Sequence, residues 1–114
     1  MITKSEIICA NAGDSRAVLG KKGKVKDLSV DHKPDTPSER NRIERAGGFV
    51  EESRVNGMLA LSRALGDFEY KQNAILKPQD QIVTAFPDIS VEKLTNECDF
   101  IVCACDGIWD CLSS

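Results

Sequence analysis

Phe100 to Asp110 reads FIVCACDGIWD, and this stretch decides how the chain folds. Phe100 to Cys105 has no polar face, so it predicts a strand covered on both sides, inside a sandwich. Asp106 then ends the strand, Gly107 allows a sharp bend, and a helix is expected to open at Asp110. Two carboxylates this close to an apolar strand repel each other, so they share a proton, find basic partners or bind a cation. Hard oxygen donors without a nearby histidine favour Mg²⁺ or Mn²⁺ over zinc or copper. Asp14 is a third candidate ligand, because Gly13 sets it in the same place, an acid at a strand end. Each acid also has a plainer use, Asp14 in an Asx turn and Asp110 as a helix N-cap. Trp109, between the two later acids, is expected to pack into the core.

Outward from this stretch, Glu6–Asn11, Arg16–Gly20 and Val25–Val30 read as strands of an antiparallel meander, with Asn11–Ser15 as turn chemistry. Thr36-Pro37-Ser38-Glu39 predicts a helix start, with Thr36 as cap, Pro37 at the first position and Glu39 completing a capping box. The helix is expected to run to Ala46, with Ile43 inward, and to end at Gly47-Gly48. Phe49–Glu52 predicts a brief strand and Arg54–Gly57 a turn; Met58–Leu61 is expected to be buried, and Ser62–Asp67 to form a short helical turn. Gln81–Phe86 and Ile89–Leu94 complete the set of strands. Many strands with few helices imply an α+β class with largely antiparallel sheets.

Composition excludes several functions. With 114 residues the chain suits one domain, and a formal net charge of −3 leaves no basic footprint for nucleic acid. Lys21-Lys22-Gly23-Lys24 reads as a solvated hairpin turn. No apolar run is long enough for a membrane span, and MITKSE is not a signal peptide. Five cysteines, an odd number without a secretory signal, imply a reducing intracellular compartment, cytoplasmic or nuclear. Cys103 and Cys105 are expected to be small buried hydrophobes; a zinc site would need a C-x-x-C pair, which is missing.

ANAGDSRAVL, DHKP, RIERAGGFV, RVNGMLALSRALGD and ACDGIWD stand in one order along the chain. In that order and spacing they resemble the metal-dependent protein serine/threonine phosphatases, the PP2C (PPM) family. The resemblance spans residues 1–114 and implies two packed antiparallel sheets flanked by helices, an α-β-β-α sandwich incomplete at both ends. It implies hydrolysis of phosphoserine and phosphothreonine in phosphoprotein substrates by water activated at a Mg²⁺ or Mn²⁺ centre, in a monomer. By resemblance Asp106 is a direct ligand of the dinuclear centre, and Asp110 and Asp14 serve a further, weaker metal site. Arg54 falls in the segment similar to the family's flap and is a candidate for substrate binding, with ordinary surface duty as its competing use. The family's D-G-H-G-G segment, its phosphate-binding arginine and its later D-N aspartate do not occur here. The single histidine, His32, belongs to DHKP and is expected to brace a loop. The chain is thus expected to be the middle-to-late portion of a catalytic domain and inactive alone. A truncated pseudophosphatase or regulatory binding module is the alternative.

Overall fold

The computed structural model describes residues 1–114. In chain order the elements are β1 (Glu6–Asn11), β2 (Arg16–Lys21), β3 (Lys24–Asp27), α1 (Pro37–Arg45), β4 (Val50–Glu51), β5 (Arg54–Val55), β6 (Asp88–Lys93), β7 (Cys98–Ala104) and α2 (Asp106–Trp109). Short 3₁₀ turns occupy Phe68–Tyr70 and Pro78–Asp80. Internal contacts divide the chain into two compact units.

The first unit comprises Met1–Asn11, Ser15–Asp31 and Asp88–Ser114. In it β1 pairs antiparallel with β6, from Glu6 opposite Lys93 to Asn11 opposite Asp88. A second antiparallel sheet runs β3-β2-β7, with Leu19 opposite Ile101 and Ala17 opposite Cys103. Alternation along each strand puts Ile7 of β1 and Ala17 and Leu19 of β2 into one buried cluster with Leu28, against which Cys9, Leu94, Cys98 and Ile101 pack. The core therefore lies between two antiparallel sheets. Full burial of a side chain such as Leu19 contributes about 1.5–3 kcal/mol.

Several expectations fail in this unit. Phe100 and Val102 stand on the outer face of β7 and are 63% and 39% exposed, so within the chain the strand is covered on one side only. Cys103 and Cys105 are exposed as well, not buried. β3 stops at Asp27 instead of Val30, because Ala17 N–H donates to the Ser29 hydroxyl, taking up the backbone donor that a longer strand would need. The closing helix begins at Asp106, and Asp110 is its C-cap, not its opening residue. Trp109 is half-buried and lies at the strand end.

The second unit comprises Ala12–Asp14 and His32–Pro87. Its core joins Ile43 of α1 to Val55, Tyr70 and Val83, with Val50, Leu59, Ala64 and Ile82 packed around them. Helix α1 has Pro37 in its first turn and is followed by Gly47 at φ +89°. Thr36, however, makes no side-chain cap, and Glu39 is buried at 1% exposure instead of closing a capping box. Glu52 and Ser53 form the two-residue turn between β4 and β5, and the expected turn over Arg54–Gly57 follows it, with Gly57 N–H donating to the Arg54 carbonyl at 3.4 Å. Met58 and Ala60 are exposed, and Ser62–Asp67 is not helical. No strand forms over 81–86: Gln81 bonds the carbonyls of Asn73 and Leu76, and the Thr84 hydroxyl bonds that of Pro78. Polar side chains bonding nearby backbone take over from a sheet ladder there.

Candidate metal site

The end of β7 delivers the two later acids in the first unit. Ala104 is the last strand residue and Asp106 the first of α2, whose single turn is closed by Asp110 N–H on the Asp106 carbonyl at 2.7 Å. Ile108 N–H adds a bond to the Cys105 carbonyl at 3.1 Å. Asp106 and Asp110 are thus one helical turn apart and both are exposed. The indole of Trp109 donates from Nε1 to the Ala104 carbonyl at 2.8 Å, tying the turn back to the strand.

Asp14 belongs to the second unit. Gly13 beside it has φ +139°, a conformation side chains oppose, and its N–H donates to His32 Nδ1 at 3.2 Å. His32 N–H in turn donates to the Gly13 carbonyl at 3.0 Å, and the His32 carbonyl accepts from the Ser62 hydroxyl at 2.8 Å. The buried imidazole therefore braces the loop that presents Asp14. The Asp14 carboxylate lies 2.6 Å from the ammonium of Lys33. Arg54, also in the second unit, is exposed and donates from Nη1 to the Met58 carbonyl at 2.7 Å.

The second unit also holds a charged cluster that the sequence did not advertise. Glu39 accepts from Arg63 Nη2 at 2.7 Å, Arg42 Nη1 at 2.6 Å and the Ser62 hydroxyl at 2.7 Å. Burial alone would push its carboxyl up, but the bonds from Arg63, Ser62 and Arg42 and the Arg42 charge outweigh that and hold the pKa down at about 2. Arg42 also bonds the carbonyls of Ser62 and Gln81, and Arg63 bonds that of Phe86, so one buried acid organises three segments. Glu39 followed by Arg42 looks in sequence like an ordinary helical surface pair. Only the S-R of LALSRALGD hinted at a partner.

Asp106 and Asp110 both offer carboxylate oxygen, the donor type a hard divalent cation takes, and both are open to solvent, but no three His, Cys, Asp or Glu side chains gather into a metal-holding group around them or elsewhere. Asp14 offers the same chemistry with an ammonium in place.

The chain is similar to known proteins in sequence and in fold. The sequence model described as Protein phosphatase 2C matches residues 1–114. Protein phosphatase 2C homolog 2 of Hypocrea jecorina is 62% identical over 114 residues, covering 100% of this chain and 26% of that protein. Probable protein phosphatase 2C 11 of Oryza sativa subsp. japonica is 54% identical over 114 residues, 100% of this chain and 32% of its own length. The crystal structure of a phosphatase from a pathogenic strain of Toxoplasma gondii superposes with a TM-score of 0.83 at 43% identity, over 92% of this chain and 32% of that one. The chain spans about a quarter to a third of these relatives. By a match that runs from its first residue to its last, on a fold shared with solved members, the chain belongs to the protein phosphatase 2C family.

Proposed function

We propose that residues 1–114 supply part of the catalytic region of a metal-dependent protein serine/threonine phosphatase. The observation that carries this reading is the Asp106–Asp110 turn: two exposed carboxylates at the end of an apolar strand, in a chain matched throughout by the family. Asp106 and Asp110 would hold Mg²⁺ or Mn²⁺, and Asp14 is a candidate cation ligand within its own unit. A cation bound there would acidify water and neutralise phosphoryl oxygens. The chain's own part is electrostatic and positional. The two carboxylates offset the positive charge, α2 sets their spacing, and His32 and Gly13 fix the loop that carries Asp14. Arg54, tethered to the Met58 carbonyl, is the candidate contact for a phosphoprotein. Substrates are phosphoserine and phosphothreonine proteins of the cytoplasm or nucleus, and the whole protein, of which these residues are a part, acts as a monomer.

The test is a Mn²⁺ titration of the chain, read by calorimetry, for wild type, Asp106→Asn and Asp110→Asn. Mn²⁺ affinity should fall about tenfold or more in Asp106→Asn and less in Asp110→Asn, as loss of a charged oxygen ligand requires. Equal affinity in all three overturns the ligand assignment. Phosphopeptide hydrolysis by the chain alone should stay at background, because two carboxylates do not complete a two-metal centre; robust Mn²⁺-dependent phosphate release would overturn that part.

A further inference from the structure

The one-turn helix that carries Asp106 and Asp110 is too short to hold its own direction. A single hydrogen-bonded turn is unfavourable in isolation, so its orientation must come from contacts outside the helix. The backbone bonds within α2 close the turn without aiming it. What aims it is Trp109, and Trp109 has two anchors.

The first anchor is the bond from Nε1 to the Ala104 carbonyl at 2.8 Å. The second is Arg16. Ala104 is the cross-strand partner of Arg16 in the β2–β7 ladder, so the strand register itself brings the guanidinium to the indole. Arg16 Cζ lies 5.2 Å from the centroid of the Trp109 ring, within the range of a cation–π contact. The guanidinium is held in turn. Its Nε and Nη2 donate to the two carboxylate oxygens of Asp31, each at 2.9 Å, and Nη1 donates to the Ser114 hydroxyl at 2.9 Å. A forked pair of this kind fixes the plane of the guanidinium as well as its position, which a lysine ammonium cannot do.

On these distances we infer that Arg16 is a positioning residue for the proposed metal site. Clamped by Asp31, it holds the face of Trp109, and through Trp109 it sets the direction of the turn bearing Asp106 and Asp110. Arg16 touches neither carboxylate in this role. This inference rests on the metal reading above only in its consequence for the cation; the ordering of α2 is a property of the chain itself.

Trp109 is the only tryptophan, so its fluorescence reports on this turn alone. The experiment compares wild type, Arg16→Met, Arg16→Lys and Asp31→Asn, with Leu28→Ala as a variant weakened in the core between the sheets. In metal-free protein, Arg16→Met should lower the Trp109 anisotropy and raise acrylamide quenching about twofold or more, with Arg16→Lys and Asp31→Asn in between, as loss of a cation–π contact and its fork predicts. Leu28→Ala should lower the melting temperature and leave both signals in place. If Arg16→Met does not fold, Arg16→Lys and Asp31→Asn carry the comparison. The Mn²⁺ Kd, read by quenching of Trp109, should rise about three- to tenfold in Arg16→Met.

Unchanged anisotropy and quenching in the Arg16 and Asp31 variants overturns the inference. So does a change of equal size in Leu28→Ala, which would make the effect one of general stability. Mn²⁺ quenching that is the same in wild type and Asp106→Asn overturns the metal reading instead, while the metal-free signals still decide the role of Arg16.

Discussion

The carboxylate of Asp14 lies 2.6 Å from the ammonium of Lys33, so this candidate ligand already has a cation beside it. The aspartate side chain is largely buried, at 14% exposure, and the lysine is 41% exposed. A divalent ion reaching Asp14 must displace or share with Lys33. Lys33→Met should therefore strengthen Mn²⁺ binding at Asp14, because the competing charge is gone, while costing about 1 kcal/mol or less of stability. Isothermal titration of Lys33→Met and of Lys33→Met with Asp14→Asn checks this. The gain should appear in the first and vanish in the second.

Glu39 should be the most sensitive charged position in the second unit. Glu39→Gln leaves Arg42 and Arg63 buried beside a neutral amide, and removal of one partner from a buried charged network costs about 3–5 kcal/mol. Thermal melting of the variant should show a large drop. A melting temperature equal to wild type would mean that the cluster contributes nothing.

The same residue dictates an acid limb in stability. Its folded pKa is depressed, to about 2 from an ordinary 4.5, so its contribution is fully present above pH 4.5 and fades as pH falls through about 2. The shift corresponds to on the order of 3 kcal/mol. Chemical denaturation of wild type between neutral pH and pH 2 should show this loss, and in Glu39→Gln that part of the pH dependence should be missing.

The β4–β5 turn places Glu52 at φ +48° and Ser53 at φ +61°. A two-residue hairpin with both values positive is a type I′ turn, which favours Asn-Gly. Non-glycine residues in this region cost roughly 1–2 kcal/mol each, and asparagine less than most. Glu52→Asn should raise the midpoint of urea unfolding by the equivalent of about 0.5–1 kcal/mol. Ser53 is less suitable for replacement, since its hydroxyl bonds Asp35.

Apolar residues occupy the outer faces of both sheets in the first unit. Ile89 and Val91 of β6 are 59% and 56% exposed, and Phe100 of β7 is 63% exposed. Contiguous exposed apolar surface promotes association. Sedimentation of the 114-residue chain should show concentration-dependent self-association, reduced by Val91→Thr with Phe100→Ser. Identical profiles for the two proteins would show that these faces do not drive it.

Much of the fold was legible because hydrophobic period and punctuation are local signals. Short apolar runs bounded by turn residues, Glu6–Asn11 and Arg16–Gly20, identified β1 and β2 almost to the residue, and Pro37 and Gly47 marked the start and end of α1. The last helix was not legible in this way: expected to open at Asp110, it opens at Asp106, because a single turn carries too little periodic signal to mark its own start. Gln81–Phe86 misled because β-branched residues also occur where Gln81 and Thr84 bond nearby backbone, and local pattern does not distinguish the two.

Sequence alone settled the family and most of the antiparallel strands and supplied the candidate ligands, since each depends on residue type and short spacing. Tertiary structure alone decided which charges meet: Lys33 with Asp14, Arg63 with Glu39, and Arg16 with both Asp31 and Trp109. Arg63 lies 24 positions from Glu39. A partner that far along the chain is selected by how the backbone returns, and electrostatic attraction then acts only across the few ångströms that packing leaves between the groups.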